Sequence, residues 1–490
     1  MTSRLERITE QRLDSLNRIR ARGVDPYPHS YRPSHTIREA TTLFEQQGEK
    51  SQNMSLAGRI VSRRSIGKMS FLDIRDGSGK IQLSLRYDLL GREKYEFLQD
   101  IDIGDIIGAH GKVFRTKAGE LTLEVSDFTM LSKSLRPLPE KWHGLADVEK
   151  RYRQRYLDLI SNEESRSTFV SRSRIITAVR GFLDSRGFME VETPVLQPHA
   201  GGAPARPFVT HHHALDQDLY LRIALELYLK RLVVGGFDRV YEIGRTFRNE
   251  GISTMHNPDF TLLECYQAYA DYNDIMTLVE EMFSHVAKQV LGDTRITRNG
   301  QTIDFGLPWQ RLYLREAIKN SCGIDFEDYP DAASLRARMA ELNMDVDPAK
   351  GKGRLIEDLL STFVEPKIFQ PTFLLDYPVE MSPLAKRKRG DEQLVERFEG
   401  FVDGMEVANA FTELNDPLEQ RERFRQQLKE RAADEEAEIA DEDFLQALEY
   451  GMPPTGGLGI GINRLVMLLT GQQSIREVIL FPQLKTKPEA

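Results

Sequence analysis

The sequence predicts an α+β protein in which a small five-stranded barrel precedes a larger domain of mixed strands and helices. The 490 residues exceed what one hydrophobic core usually organises, because domains mostly run to about 100–200 residues. Short runs of alternating apolar and polar residues follow one another from about Met54 to Leu131. Beyond this region, helical and strand-like patterns are mixed up to the C-terminus. Two or three domains are therefore expected.

Composition predicts a soluble globular protein of the cytoplasm. Hydrophobic residues make up 40% and charged residues 29%, and no apolar run approaches the roughly 20 residues that a membrane helix needs. Residues 1–23 are charged throughout and lack the apolar stretch of a signal peptide, so we expect a cytoplasmic protein without a membrane partner. Cys265 and Cys322 lie outside any CxxC pair, which argues against a disulfide framework or a zinc ribbon.

The N-terminal part predicts a helix followed by a barrel. Apolar residues at helical spacing over residues 3–22 indicate an exposed helix that ends at Gly23. Five short strands follow, separated by turn sequences such as DGSGK and TKAGE. This length and rhythm are typical of an OB-fold, whose strand face commonly binds oligonucleotides. A purely structural barrel is the alternative that the pattern leaves open. The net charge of -9 does not exclude a nucleic-acid partner, because electrostatic attraction depends on where the charge lies.

The larger domain is predicted to begin with a helix over Phe169–Arg186, which leads into a strand, FMEVETPVL, closed by Pro194. Another charged helix is expected after Asp416-Pro417, because Asp and Pro favour a helix start. We therefore divide the chain into an N-terminal helical extension (1–50), the barrel (51–135), a linker (136–168) and the larger domain (169–490), with a mostly helical, polar insertion at about 272–395.

A strand, a polar loop and a second strand are predicted between Arg239 and Tyr272. A period of two places alternate residues of the second strand on one face, namely Phe260, Leu262, Glu264 and Tyr266. A lone buried carboxylate is costly, so Glu264 requires a cation. The sequence leaves open whether a cationic ligand or an internal salt bridge supplies it. The chain contains neither a GxxxxGK[ST] phosphate loop nor a GxGxxG turn, so any nucleotide must be bound in another way.

A hairpin is predicted in RFEGFVDGMEVANAFTELNDP, with its turn at Asp403-Gly404. It brings Glu399 and Glu406 close together across the two strands. Two such carboxylates repel each other unless a cation lies between them, and their hard oxygen atoms suit magnesium shared with phosphates. The sequence therefore predicts a magnesium site at this hairpin.

The second strand of the hairpin presents Asn409, Phe411 and Glu413 on one face. Glu406 is out of phase with them, so a bulge near residue 407 or 408 is needed. A further segment, GGLGIGINRLVMLLTG, predicts a glycine-rich strand that enters an apolar helix with Arg464 near its start. Glycines let a ligand approach the backbone, and an arginine at a helix N-terminus is suited to binding phosphate.

Together these segments resemble the three motifs of class II aminoacyl-tRNA synthetases. GFMEVETPVL resembles motif 1, FRNEGISTMHNPDFT motif 2 and GLGIGINR motif 3. Nearly the whole chain is similar to the bacterial-type lysyl-tRNA synthetases, including GVDPYP, RPLPEKWHGL and VANAFTELNDP. This resemblance implies an OB-fold anticodon-binding domain, a catalytic domain with a mainly antiparallel sheet flanked by helices, and a homodimer formed through motif 1.

The resemblance also implies ATP-dependent activation of L-lysine, transfer to the 3′ end of tRNA(Lys), and Mg²⁺ as a cofactor. The catalytic residues implied are Arg248 and Arg464. The ATP site implied comprises Arg248, Glu250, His256, Asn257, Phe260 and Arg464, and the lysine site Gly202, Glu226, Arg248, Glu264, Tyr266, Asn409, Phe411 and Glu413. Glu399 and Glu406 would bind the metal, and Arg63, Phe71, Gln82 and Glu120 the anticodon. Asn463 departs from the aspartate usual in the family beside Arg464.

Three alternative functions compete with this one. An aspartyl- or asparaginyl-tRNA synthetase shares the barrel and the motifs, but an aspartate site needs a lysine or arginine facing the substrate side chain. A lysine-activating paralogue that modifies an elongation factor typically lacks the N-terminal barrel. A nucleic-acid-binding regulator without catalysis would not need the charged residues that all three motifs retain.

Overall fold

In a computed structural model the chain forms two compact units, Met1–Ala146 and Asp147–Ala490. The structure describes residues 4–48, 53–139, 145, 147–431 and 441–486. Among these residues no helix is both long and apolar enough to cross a membrane. Part of the predicted linker motif, residues 140–144, lies outside the described residues.

The first unit is a closed barrel with accompanying helices. Its helices are α1 Arg4–Ala21, α2 Ile37–Gln47 and α3 Tyr87–Phe97, and its strands are β1 Met54–Ile66, β2 Met69–Arg75, β3 Lys80–Arg86, β4 Ile106–Arg115 and β5 Leu121–Ser132. The strands follow the order β1-β2-β3-β5-β4, in which β3 and β5 are parallel. The five-stranded barrel and the helix before it are confirmed. The tight β2–β3 turn is stabilised by Asp76, whose carboxylate accepts the backbone N–H groups of Ser78 and Gly79 at 2.6 and 2.8 Å.

The second unit is built around one large sheet. Its helices are α4 Val148–Arg153, α5 Arg155–Ser161, α6 Glu163–Asp184, α7 Glu226–Val234, α8 Tyr272–Leu291, α9 Leu314–Cys322, α10 Ala332–Glu341, α11 Lys352–Leu359, α12 Pro417–Arg431, α13 Glu442–Glu449, α14 Ile462–Thr470 and α15 Ile475–Val478. Its strands are β6 Met189–Glu190, β7 Leu196–Gln197, β8 Val209–His212, β9 Gln217–Leu221, β10 Arg239–Phe247, β11 Asp259–Ala268, β12 Arg295–Arg298, β13 Gln301–Asp304, β14 Gln310–Tyr313, β15 Thr372–Pro378, β16 Arg387–Lys388, β17 Asp391–Val402, β18 Met405–Thr412 and β19 Thr455–Gly461.

The strands of the large sheet follow the order β14-β15-β17-β18-β19-β11-β10-β6, with β16 paired to β17. All pairings from β15 to β10 are antiparallel, whereas β14 and β6 join the two ends in parallel. One face packs on α6, α8 and α14 through an apolar core that includes Phe182, Leu263, Phe283, Leu458 and Val466. Polar residues at alternate positions are thereby left on the opposite face.

The predicted strand FMEVETPVL is much shorter than expected, because only Met189 and Glu190 pair with the sheet. The backbone N–H and the hydroxyl of Thr193 donate to the Glu242 carboxylate at 3.1 and 2.6 Å. The N–H is therefore not available for a hydrogen bond to a neighbouring strand. Pro194 follows and has no N–H to donate.

The region 272–395 needs a correction, because it is not simply a polar helical insertion. Helix α8 is long and largely buried against the central sheet, and β15 is buried along its whole length. Only the part around α9, α10 and α11 forms a separate helical core. The spacing of apolar residues in α8 indicates a buried helix. The polar residues between the elements of this region made the whole region resemble a surface insertion.

Helix boundaries also differ from expectation in the predicted linker. Helices α4 and α5 lie within 136–168 but belong to the second unit, and α6 begins at Glu163 rather than Phe169. Helix α12 begins as predicted at Pro417, and the Asp416 carboxylate accepts the N–H groups of Leu418 and Glu419 at 2.9 and 3.2 Å.

Candidate active site

The open face of the large sheet carries the polar residues singled out from the sequence. Glu264 lies opposite Gly459, and Tyr266 lies opposite Gly457. Asn409 also lies opposite Gly459, from the other side of β19. Directly opposed residues share a face, so these side chains surround a strip of glycines that have no side chains to fill the space. The predicted common face of Glu264 and Tyr266 is confirmed by this register.

Glu264 is a buried carboxylate that is near Lys230 but forms no ion pair with it. Its oxygen atoms accept the backbone N–H of Leu225 and the hydroxyl of Tyr266, both at 3.0 Å. Among the described residues, no basic side chain lies within ion-pair distance of it. Burial, together with the nearby Glu226, raises the pKa of Glu264 to about 7. The geometry thus favours a cationic ligand over an internal salt bridge at this carboxylate.

Lys230 is a site residue that sequence reasoning missed. Its side chain is fully buried, and its Nζ forms ion pairs of 2.5 Å with both Glu226 Oε1 and Glu413 Oε2. Burial alone would lower the pKa of Lys230, but the two carboxylates raise it above its usual value. Burial raises the pKa of Glu413, and the ion pair with Lys230 opposes this shift. The internal salt bridge therefore exists, but at Glu413 and Glu226. Position i+4 from Glu226 on one helix was the available signal.

Two glycines make room for these carboxylates. A methyl group at Gly457 would overlap Glu413 Oε1 and would lie 2.6 Å from Tyr266 Cε1. Gly202 has a φ of +89°, and a methyl group there would lie 3.3 Å from Glu226 Cβ. The predicted pair of Gly202 and Glu226 is thus brought together, and both glycine positions are closed to larger residues.

Arg248 and Phe260 lie together beside this pocket. The Arg248 Cζ atom is 5.2 Å from the centroid of the Phe260 ring. The guanidinium makes one long hydrogen bond, from Nε to Ile223 O at 3.4 Å, and no carboxylate of the described residues lies within ion-pair distance. Burial lowers the pKa of Arg248, and Glu250 and Glu406 oppose this shift. Arg248 therefore has donors available for an anionic ligand, and Glu250 nearby is exposed to solvent.

The loop between β10 and β11 is held by its own side chains. His256 Nδ1 lies 3.0 Å from Ser253 Oγ, and burial, with a contribution from Arg464, lowers the pKa of His256. Asn257 is buried, donates to Asp259 O and accepts the N–H of Gln483 at 2.7 and 3.2 Å. Asn257 is thus engaged in fixing the loop.

The predicted hairpin is formed by β17 and β18. Both turn residues, Asp403 and Gly404, have positive φ, of 52° and 68°. The register steps from Gly400 opposite Ala408 to Phe401 opposite Glu406, so residue 407 is the extra one. The predicted bulge is therefore confirmed, and it turns Glu406 to the same face as Glu399.

Each hairpin carboxylate is held by an arginine. Arg464 Nη1 donates to Glu406 Oε2 at 2.9 Å, from the first turn of α14 as predicted. Arg397 Nη2 and the Tyr377 hydroxyl donate to the two oxygens of Glu399 at 2.5 and 2.8 Å. Burial raises the pKa of Glu399, and repulsion from Glu406 adds to the effect. Two facing carboxylates of this kind, with hard oxygen atoms, fit a divalent cation.

Arg397 is another site residue that the sequence did not reveal. Its Nε donates to Asn409 Oδ1 at 3.1 Å, and its Cζ lies 5.6 Å from the centroid of the Phe411 ring. Arg397 thus links Asn409 and Phe411 of the predicted lysine site to Glu399 of the predicted metal site.

In the barrel, only some of the predicted residues share a surface. Phe71 lies opposite Arg64, whose Cζ is 4.8 Å from its ring centroid. Gln82 lies on the adjacent strand, and its Oε1 accepts the Thr122 hydroxyl at 3.2 Å. Glu120 is exposed in the β4–β5 turn. Arg63 lies opposite the buried Leu72 and donates to the carbonyls of residues 98 and 101, whereas Arg64 lies opposite Phe71.

Comparison with known proteins agrees with both units. Residues 147–485 match the family described as tRNA synthetases class II (D, K and N), and residues 54–131 match the OB-fold nucleic acid binding domain. The lysine–tRNA ligase of Dehalococcoides mccartyi (strain ATCC BAA-2266 / KCTC 15142 / 195) is 58% identical over 490 residues, covering 99% of this chain and 98% of that protein. Those of Moorella thermoacetica and Bacillus cytotoxicus are 56% and 51% identical, each covering 98% of this chain and, respectively, 98% and 97% of those proteins. The chain therefore belongs to the class II tRNA synthetases, and within them to the lysine–tRNA ligase family.

Proposed function

We propose that this protein is a lysine–tRNA ligase, which activates L-lysine with ATP to lysyl-adenylate and transfers the lysyl group to the 3′ end of tRNA(Lys). Membership of the family supports the reaction and its dependence on ATP. The observation that carries the amino-acid specificity is the buried Glu264, which has no cation within ion-pair distance among the described residues.

The charge of the pocket separates lysine from aspartate. An aspartate site needs a basic side chain that is free to pair with the substrate carboxylate. Lys230 is a basic residue beside the carboxylates of the pocket, but its ammonium group is already paired with Glu226 and Glu413. Glu264, Tyr266 and Glu413 surround the remaining space with negative charge and a hydroxyl. This arrangement suits the ε-ammonium of lysine, with Asn409 and Phe411 beside it, while Glu226 and Gly202 are placed for the α-ammonium.

Arg248 is proposed to bind the ATP α-phosphate and the lysine carboxylate, because its guanidinium has free donors. Phe260 provides a face for adenine, with Arg464 on the opposite side, and Glu250, His256 and Asn257 border the nucleotide. The lysine carboxylate is already ionised at neutral pH, so its oxygen can attack the α-phosphorus without a general base while pyrophosphate leaves. The ribose hydroxyl of tRNA then attacks the carbonyl carbon, its proton passes to the departing phosphate group, and AMP leaves. Orientation and charge stabilisation by the two arginines account for the catalysis.

Glu399 and Glu406 are proposed to hold Mg²⁺. When bound, the ion neutralises phosphate charge. Arg397 and Tyr377 orient Glu399, and Arg464 orients Glu406, so both carboxylates are fixed before a ligand arrives.

The barrel is proposed to bind the anticodon through Arg63, Phe71, Gln82 and Glu120. Arg64 lies against the Phe71 ring and adds positive charge to a surface on which a base can stack. By analogy with the family we also propose a homodimer formed through the motif 1 segment, and a location in the cytoplasm, where tRNA is charged.

Lysine-dependent exchange of pyrophosphate with ATP tests this function. The wild-type protein should exchange with lysine and not with aspartate or asparagine, and Arg248→Ala should abolish exchange while the protein remains folded. Exchange that depends on aspartate instead of lysine would show the specificity argument to be wrong. Undiminished exchange in Arg248→Ala would remove this arginine from the reaction.

A further inference from the structure

A single buried ammonium group bridges two carboxylates of the amino-acid pocket. Lys230 Nζ contacts Oε1 of Glu226 and Oε2 of Glu413, each at 2.5 Å, and its side chain has no solvent exposure. Glu226 precedes it by one helical turn on α7, whereas Glu413 follows the end of β18. The two ion pairs therefore connect α7 to the end of β18.

The bridge uses only one oxygen of each carboxylate. Glu413 Oε1 is buried and has no hydrogen-bond donor among the described residues. This oxygen faces β19, where a methyl group at Gly457 would overlap it. Glu226 Oε2 faces Gly202 and would lie 3.8 Å from a methyl group there. The two remaining oxygens thus point to different sides of the pocket.

The charge count matches a diamino acid. Glu226, Glu264 and Glu413 supply three negative charges when ionised, and Lys230 supplies one positive charge. An excess of two negative charges remains, and lysine brings two ammonium groups while its carboxylate is left for Arg248. A pocket with three carboxylates and no internal cation would take up protons instead, because close carboxylates cannot all ionise when desolvated.

We propose that Lys230 is a positioning residue for the amino-acid substrate: its ammonium group balances the charge of Glu226 and Glu413 and holds the two carboxylates apart, so that each directs its second oxygen to one ammonium group of a bound diamino acid. This inference rests on the proposed function, because it assigns the substrate to that same pocket.

The groups that face Lys230 come from each element packed around it. Helix α7 contributes Glu226, β11 contributes Glu264 and Tyr266, whose ring centroid is 6.0 Å from Nζ, and the chain after β18 contributes Glu413. From α13 comes the Phe444 ring, also 6.0 Å away. The acidic residues at the start of α13, Asp441 and Asp443, pair with Arg231 instead. Lys230 therefore balances part of the negative charge of Glu226, Glu264 and Glu413.

The test compares Lys230→Met with Lys133→Met in pyrophosphate exchange. Lys133 is an equally buried lysine that pairs with two carboxylates, Asp102 and Asp105 at 2.6 and 2.9 Å, but it lies in the barrel unit. At pH 7, Lys230→Met should raise the KM for lysine at least tenfold and leave the KM for ATP within threefold. Lys133→Met should change neither. The ratio of the KM for lysine in Lys230→Met to that in the wild type should decrease as the pH rises to 9, because the uncompensated carboxylates lose their protons.

A double-mutant cycle with Glu413→Gln separates positioning from a general structural role. With one carboxylate removed, the pocket needs no internal cation, so adding Lys230→Met should raise the KM for lysine less than threefold. An equal rise in both backgrounds, or a rise that does not change with pH, overturns the proposal, as does an unchanged KM in Lys230→Met.

If Lys230→Met does not fold, the comparison of Glu413→Gln with the double variant decides alone, and a rise in the KM for lysine above threefold there overturns the proposal. Absence of lysine-dependent exchange in the wild-type protein would instead refute the proposed function.

Discussion

Replacing Asn463 by aspartate should stabilise the second unit. Asn463 is buried next to Arg172, whose Nη1 donates to Asn463 Oδ1 at 2.8 Å, while the amide Nδ2 has no hydrogen-bond partner among the described residues. Burial lowers the pKa of Arg172 to about 10, and Arg245 adds to the effect. No carboxylate of the described residues pairs with this buried guanidinium, so the isosteric aspartate would supply the missing charge and remove the unpaired donor.

The size of the gain can be bounded from the structure. A drop in the Arg172 pKa from 12.5 to about 10 corresponds to about 3 kcal/mol, which limits what a paired carboxylate can restore. Removing the unpaired donor contributes about 1–3 kcal/mol, and desolvating the new carboxylate costs several kcal/mol. We expect a net increase in the free energy of unfolding of about 1–2 kcal/mol at pH 7. Arg172 would depress the pKa of the new aspartate, so the gain is present above about pH 5 and is lost as the pH falls below about 4.

Urea-induced unfolding of wild type and Asn463→Asp at pH 7 and at about pH 3 measures this gain and its loss. Arg172→Met is the matched control, since in that background the aspartate would be a buried charge without a partner and should destabilise. A gain that survives in the Arg172→Met background, or a less stable Asn463→Asp protein at pH 7, would refute the reasoning. Lysine-dependent exchange should stay within threefold of wild type, because Arg464 keeps its hydrogen bond to Glu406.

Three further predictions concern the pocket and the barrel. Gly457→Ala should raise the KM for lysine at least tenfold with little change for ATP, because the methyl group would overlap Glu413 Oε1; an unchanged KM for lysine would contradict the close packing. In the wild type, the KM for lysine should fall as the pH rises through about 7, where Glu264 ionises. Glu264→Gln should lose this pH dependence, and an unchanged pH profile in the variant would show that another group is responsible. Phe71→Ala should weaken charging of tRNA(Lys) while pyrophosphate exchange survives, and an equal loss of both activities would argue against separate roles for the two units.

Local patterns predicted the strands and the face on which their side chains lie. Period two placed Glu264 with Tyr266, and the phase of Glu406 predicted a bulge, because alternation is a property of the strand itself. The same pattern failed at Thr193, where a side chain on another strand captures the backbone N–H that a ladder would use. The extent of FMEVETPVL as a strand was therefore set by a tertiary contact.

The charges inside the site were the least predictable feature. Nothing in the local sequence shows that Lys230 pairs with Glu413, because the two residues are brought together only when α7 packs beside the end of β18. Arg397 is similar: strand alternation gives its face, but not its hydrogen bonds to Asn409 and Glu399. In the barrel, strand alternation alone does not show whether Arg63 or Arg64 lies beside Phe71, and the register with β2 places Arg64 opposite it.

The glycines of β19 connect the fold to the chemistry. On one side of this strand Leu458 and Ile460 belong to the apolar core, while on the other Gly457 and Gly459 lie against Glu413 and Glu264. Larger residues at these two positions would pack against Glu413 and Glu264, and such a filled pocket could not admit a substrate. The carboxylates are buried, and their charge requires either a proton or a cation. Because Lys230 balances only one of the three negative charges, the two ammonium groups of a lysine substrate can balance the other two.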